Sequence, residues 1–89
     1  MKNSLYSIKD NTAEYFTKMF PSPNDATALR TIKNTLIDPN SKELEFVKNP
    51  DQFTLYKIGS FDDNTGEITP ELTKMQTLQT LNEELQNAE

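Results

Sequence analysis

At 89 residues, 34% of them apolar, the chain has material for one small domain with a thin core, and burial gained by self-association would help to hold it. It contains no cysteine and no histidine, which excludes disulfides, thiolate chemistry, and the commonest general base and transition-metal ligand. The formal charge of −5 is unevenly placed: residues 1–60 hold eight bases against seven acids, whereas residues 61–89 hold Lys74 alone against seven acids. That balance argues against a protein that coats nucleic acid, although a local basic patch on the body stays open.

In chain order, residues 4–9 (SLYSIK) and 14–20 (EYFTKMF) read as a hairpin around the Asp10-Asn11 turn signal, with Pro21 closing the second strand. Charged residues interrupt the first twenty positions, so no signal peptide is expected. A helix over 23–37 follows, with Ser22 as its cap, Pro23 in its first turn and Asp25 at the capping-box position. Its buried stripe would be Ala26, Leu29, Ile32 and Leu36, with Ile37 at the margin, and Asp38-Pro39 stops it.

Residues 41–47 (SKELEFV) suit a short helix capped by Ser41, and Asn49-Pro50-Asp51 breaks it. Residues 53–61 (FTLYKIGSF) form a strand with apolar side chains on both faces, hence a central one. The main helix would cover one of those faces and something else the other. A short strand at 66–69 follows. From Pro70 the last segment reads as a helix whose seam is Met75, Leu78, Leu81, Leu85 and Ala88.

The loop Asp62-Asp-Asn-Thr-Gly-Glu67 gathers three acids, and a metal reading has to be weighed. An EF-hand beginning at Asp62 needs an oxygen ligand at its fifth position and Glu at its twelfth, where this chain has Gly66 and Thr73. A catalytic reading would use Asp62, Asp63 and Glu67 as acid and base, but a loop between strands lies in solvent, where their titration would not be split. A hairpin turn closed by Gly66 needs no further assumption. With two glycines in all there is no phosphate-binding loop. No apolar run approaches the roughly 18 residues of a membrane span, so a soluble, intracellular protein without membrane contact is expected. Catalytic residues, metal ligands and cofactors are not expected. Lys9 and Lys57 on neighbouring strands, grouped with Arg30 or Lys33, are the candidates for phosphate contact, and Tyr56 for base stacking.

Several segments together resemble the small non-structural protein of gokushoviruses, single-stranded DNA phages of the Microviridae. The resemblance is carried by Tyr6 and Asp10, Asn24-Asp25 with Ala28 and Arg30, and Asp38-Pro39. It continues through Pro50, Asp51, Phe53, Leu55, Tyr56, Ile58, Gly59, Phe61, Asp62 and Thr65-Gly66. It covers about residues 4–70, leaving 71–89 outside the pattern, and family members carry a more apolar or proline-bearing segment in place of Tyr15–Pro21. The resemblance implies a phage protein made in the bacterial cytoplasm and absent from the mature virion. It also implies an accessory role in single-stranded genome synthesis or packaging, labelled as DNA-binding.

The expectations are therefore these. The fold is α+β, β-β-α-β-β-α, with a small antiparallel sheet of three to four strands in the order 2-1-3-4, one main helix packed on it and an amphipathic C-terminal helix. Residues 1–70 form the body, and 71–89 form an association element that makes a homodimer through Met75, Leu78, Leu81 and Leu85. The function is a non-catalytic accessory one with single-stranded DNA, or phage or host replication and packaging proteins, as partners. The alternative is a homo-oligomeric protein–protein adaptor that never contacts DNA.

Overall fold

The structure, a computed structural model, describes residues 2–17 and 19–87. Its antiparallel sheet contains β1 (Lys2–Asp10), β2 (Tyr15–Phe16), β3 (Phe20–Ser22), β4 (Phe53–Asp62) and β5 (Ile68–Thr77). The helices are α1 (Asp25–Ile37), α2 (Glu45–Lys48) and α3 (Leu78–Asn87). The strand order is β2-β1-β4-β5, with β3 also paired to β1, so the fold is the α+β arrangement expected and its central strands are β1 and β4. The expected strand 14–20 is divided. Thr17 donates both its N–H and its hydroxyl to the Ile8 carbonyl, and pairing with β1 resumes only at Phe20, opposite Tyr6.

All three helices contribute to one side of the sheet. Tyr6, Ile8, Phe53 and Leu55 from the strands meet Ala28, Ile32, Leu78 and Leu81 from α1 and α3, while Phe46 of α2 packs against this core. Helix α1 starts at Asn24, whose side-chain oxygen accepts the Thr27 N–H at 2.8 Å, a cap of about 1 kcal/mol. The expected cap, Ser22, is buried in β3 and donates to the Asn24 carbonyl instead. Asp25, released from capping, accepts a 2.5 Å hydrogen bond from the Tyr6 hydroxyl. The buried stripe is correspondingly Ala28 and Ile32 flanked by Leu29 and Leu36, not one that begins at Ala26, which is exposed.

The second helix is shorter and later than expected. Pro39–Ser41 and Pro50–Gln52 are single 3₁₀ turns, and α2 between them starts at Leu44 without a side-chain cap. The acidic loop is a hairpin turn. The Asp62 N–H donates to Glu67 O at 2.9 Å, Gly66 N–H donates to Asp62 O at 2.7 Å, and Gly66 takes a φ of 79°. No group of three or more potential metal ligands occurs among the described residues.

The largest departure lies beyond the hairpin. Residues 71–77, expected to be helical, continue β5 to Thr77, and α3 is confined to 78–87. Pairing with the long β4 overrides the helical spacing of Met75 and Leu78, because ten residues of partner strand offer backbone hydrogen bonds that a lone amphipathic helix would have to replace by packing. Thr77 then caps the short helix, its hydroxyl accepting the Thr80 N–H. Two seam residues end inside the chain's own core: Leu78 and Leu81 are fully buried. Met75 packs against that core from β5, Leu85 is half-buried, and Ala88 lies outside the described residues. The boundary expected at residue 70 therefore does not separate a body from an appendage, since α3 completes the core.

Candidate nucleic-acid interface

Strand register decides which side chains share the sheet face that no helix covers. Tyr6 and Ile8 point to the helices, so their neighbours Leu5, Ser7 and Lys9 lie on the other face. Across the ladders, Lys9 opposes Phe16 and Thr54, Ser7 opposes Tyr56, and Tyr56 opposes Lys74. The pairing is irregular at two places. One, at Ile58, is an extra residue against β1 that brings Gly59 opposite Leu5, whereas on the other side Ile58 faces both Glu71 and Leu72 of β5 before Gly59 meets Pro70. Gly59 there has a φ of 155°, and a Cβ at this position would collide with the Thr69 carbonyl oxygen. The other, at Met75, lets Gln76 stand beside Leu55 while Lys74 stands beside Tyr56.

One end of the open face is aromatic and basic. The Phe16 and Tyr56 rings meet edge-to-face with centroids 5.2 Å apart, and Lys9 Nζ lies 5.8 Å from the Phe16 centroid. Lys74, exposed, follows on the next strand. Among the described residues that the register assigns to this face, Lys9 and Lys74 carry the only charges, both positive, in a chain whose net charge is −5. The other end is apolar: Phe61 opposes Ile68, and Pro70 and Leu72 continue the row.

Of the five residues expected to contact DNA, two come together here, Lys9 and Tyr56. Lys57 does not join them, because alternation along β4 turns the residue after Tyr56 to the helix side, opposite Tyr6. Arg30 and Lys33 belong to α1, also on that side, and Lys33 is paired with Glu84 of α3 at 2.9 Å. The expected patch of Lys9 and Lys57 with Arg30 or Lys33 is thus divided between opposite faces. Two residues escaped the sequence reading. Phe16 could have been found from the Asp10-Asn11 turn, which sets it opposite Lys9. Lys74 could not, as long as residues 71–77 were read as a helix.

On the helix side, a cavity of about 430 Å³ opens between β1, α1 and α2, walled by Ile8, Phe20, Ile32, Phe46 and Phe53 with Asp10 and Glu45 as its charged lining. Its walls are largely apolar. Asp10 uses one carboxylate oxygen to accept the Thr12 and Ala13 N–H groups, the work of a turn rather than of a reaction. The Tyr6 titration is pushed up to about 12 by burial and by its hydrogen bond to the Asp25 carboxylate, which holds the phenol protonated. That bond ties β1 to the start of α1.

No helix among the described residues is long and apolar enough to cross a membrane. No curated protein and no solved structure matches the chain. The sequence profile of a family described as "Phage ORF5 protein" matches residues 3–83, from the first strand through most of α3. The match runs past residue 70, so residues 71–83, set outside the pattern of the resemblance above, fall within the family match. The chain is a member of the phage ORF5 protein family.

Proposed function

We propose that this phage protein is a non-catalytic accessory factor that holds single-stranded DNA on its open sheet face during genome synthesis or packaging, in the cytoplasm of an infected bacterium and outside the mature virion. The gokushovirus assignment within the family is part of this proposal. The observation that carries it is the group Lys9, Phe16, Tyr56 and Lys74, two rings flanked by two cations, with no acid among the described residues that the register assigns to that face. Unpaired bases stack on exposed aromatic rings with about 1–3 kcal/mol per base, and lysines beside such rings reach the adjoining phosphates. Duplex DNA offers no free base faces, so the same surface would favour single strands. Replication and packaging proteins of the phage or host are the protein partners that fit such a role.

Fluorescence anisotropy with a labelled oligonucleotide at two salt concentrations tests this reading. Binding should weaken as salt rises, weaken further in Tyr56→Ala, and lose part of its salt dependence in the Lys9→Ala, Lys74→Ala double variant. Lys57→Ala, on the opposite face, should bind as the unaltered chain does. Absence of binding at low salt would discard direct DNA contact and leave the adaptor reading, which the acidic residues after position 61 favour.

A further inference from the structure

The cavity on the helix side has an apolar floor and an acidic mouth. Ile8, Ile32 and Phe53 in its lining are buried and belong to the core. Phe20 and Phe46 add two rings, braced by Tyr6 and Phe53 with centroids 5.6 and 6.4 Å away. Tyr15, Thr31 and Glu45 are exposed and so stand at the mouth, while Asp10 is half-buried. A volume of about 430 Å³ falls within the roughly 300–1,000 Å³ of small-molecule sites.

The polar side chains around it almost all accept hydrogen bonds. Asp10 and Glu45 are carboxylates, which have no proton to give. The hydroxyls of Thr17 and Thr31 donate to the carbonyls of Ile8 and Thr27, at 2.7 and 3.0 Å, and have only lone pairs left. Among the described lining side chains, the Tyr15 phenol alone retains a proton to donate, and there is no lysine or arginine. An anion would therefore meet two negative charges and no cation. Water meets apolar walls that offer it few partners, and its displacement by an apolar group is favourable. The guest that fits both halves is a positively charged donor carried on an apolar body.

We propose that this cavity binds a small organic ammonium ion, its apolar body among Phe20, Phe46 and Phe53 and its charge beside Asp10 and Glu45. A charge left at the mouth keeps part of its water, which avoids the cost of burying an ion. Aromatic faces nearby add their own attraction for a cation. The hairpin β1–β2 serves this site and the open face alike, because Asp10 and Tyr15 alternate with Lys9 and Phe16. The two sites lie on opposite sides of the sheet, and this one does not rest on the DNA reading.

Phenethylammonium is the probe, with phenethyl alcohol and phenylpropionate as neutral and anionic counterparts of nearly the same body. In proton–nitrogen NMR spectra of the full chain, the ammonium should move the amide signals of Asp10, Phe20, Phe46 and Phe53. It should bind about fivefold or more tightly than the carboxylate, as two partly exposed ion pairs allow. Asp10→Asn with Glu45→Gln should reduce that preference to about twofold or less, and Asn still offers the oxygen that holds the turn. Glu45→Gln alone, at an exposed position, should lower it in part. Glu71→Gln, outside the lining, should leave it unchanged. Absence of these shifts with about 10 mM probe, where even a millimolar site is mostly filled, would overturn the inference. So would equal binding of the three probes, or a preference that survives Glu45→Gln intact. An effect of Glu71→Gln as large as that of Glu45→Gln would also overturn it, because net charge alone would then attract the probe.

Discussion

On one face of the sheet Tyr6 and Leu55 are fully buried; on the other, Ile68 and Leu72 stand more than half exposed although their side chains are no less apolar. The two faces belong to the same strands, and residues adjacent in sequence are assigned to opposite fates: Leu55 closes the core while Tyr56 joins Phe16 on the open side. The chain has helices enough to cover one face. On the other, Leu5, Ser7 and Thr54 are buried as well, but the exposed side chains are available for recognition, and substitutions of core and of exposed residues should therefore separate stability from binding.

The largest effect is expected on the covered side. Leu81→Ala should lower the unfolding free energy by about 2–5 kcal/mol in chemical denaturation, as removal of a fully buried leucine does. The oligomeric mass should be unaltered where the fold persists. An effect on mass without one on stability would restore the view of α3 as an association element. Gly59→Ala is the exception that sharpens the comparison. It lies on the open face, yet its added methyl meets the Thr69 carbonyl at a positive φ, and a loss of about 1–3 kcal/mol is expected from backbone strain alone.

A smaller effect attaches to Tyr6. Its phenol titrates near 10 when unfolded and about 12 when folded, so the folded chain retains a proton that the unfolded chain has lost between those values. The stability this contributes is fully present below pH 10 and is lost as pH rises through about 12. Tyr6→Phe should cost about 1 kcal/mol at neutral pH, through the lost bond to Asp25, and should flatten the alkaline decline seen in denaturation curves between pH 10 and 12. A decline as steep as that of the unaltered chain would place its source in another group.

Least of all should the open face matter to folding. Tyr56→Ala gives up an edge-to-face contact worth about 0.5–1.5 kcal/mol and a half-buried ring, and its main effect should appear in DNA anisotropy. A loss of stability comparable with that of Leu81→Ala would collapse the distinction between the faces. Glu84→Gln, which breaks a partly exposed ion pair with Lys33, should change stability by less than about 1 kcal/mol.

Local signals carried much of this fold. The Asp10-Asn11 turn, the Asp38-Pro39 stop, the Asn49-Pro50-Asp51 break and the Gly66 turn each rest on backbone preferences of a few neighbouring residues, and they marked the elements in order. The apolar content of residues 4–9 and 53–61 was enough to make those strands central, because only strands with neighbours on both edges can shelter that much apolar surface. Where two caps were available, Ser22 or Asn24, propensity alone did not separate them. The choice fell to Asn24 because pairing with β1 draws Ser22 into the sheet.

The remainder depended on contacts distant in sequence. Met75 and Leu78 have helical spacing, but the ladder offered by β4 holds residues 71–77 extended and turns only Leu78 and Leu81 inward. Pairing of β1 with β4 groups Lys9, Phe16 and Tyr56 and leaves Lys57 on the opposite face, and one extra residue at Met75 brings Lys74 to join them. A single added residue reverses every side chain beyond it, because alternation along a strand has a period of two. The sequence by itself thus determined which segments extend, turn and coil. Which lysines and rings share a face was decided by register, a property of paired strands that no one segment contains.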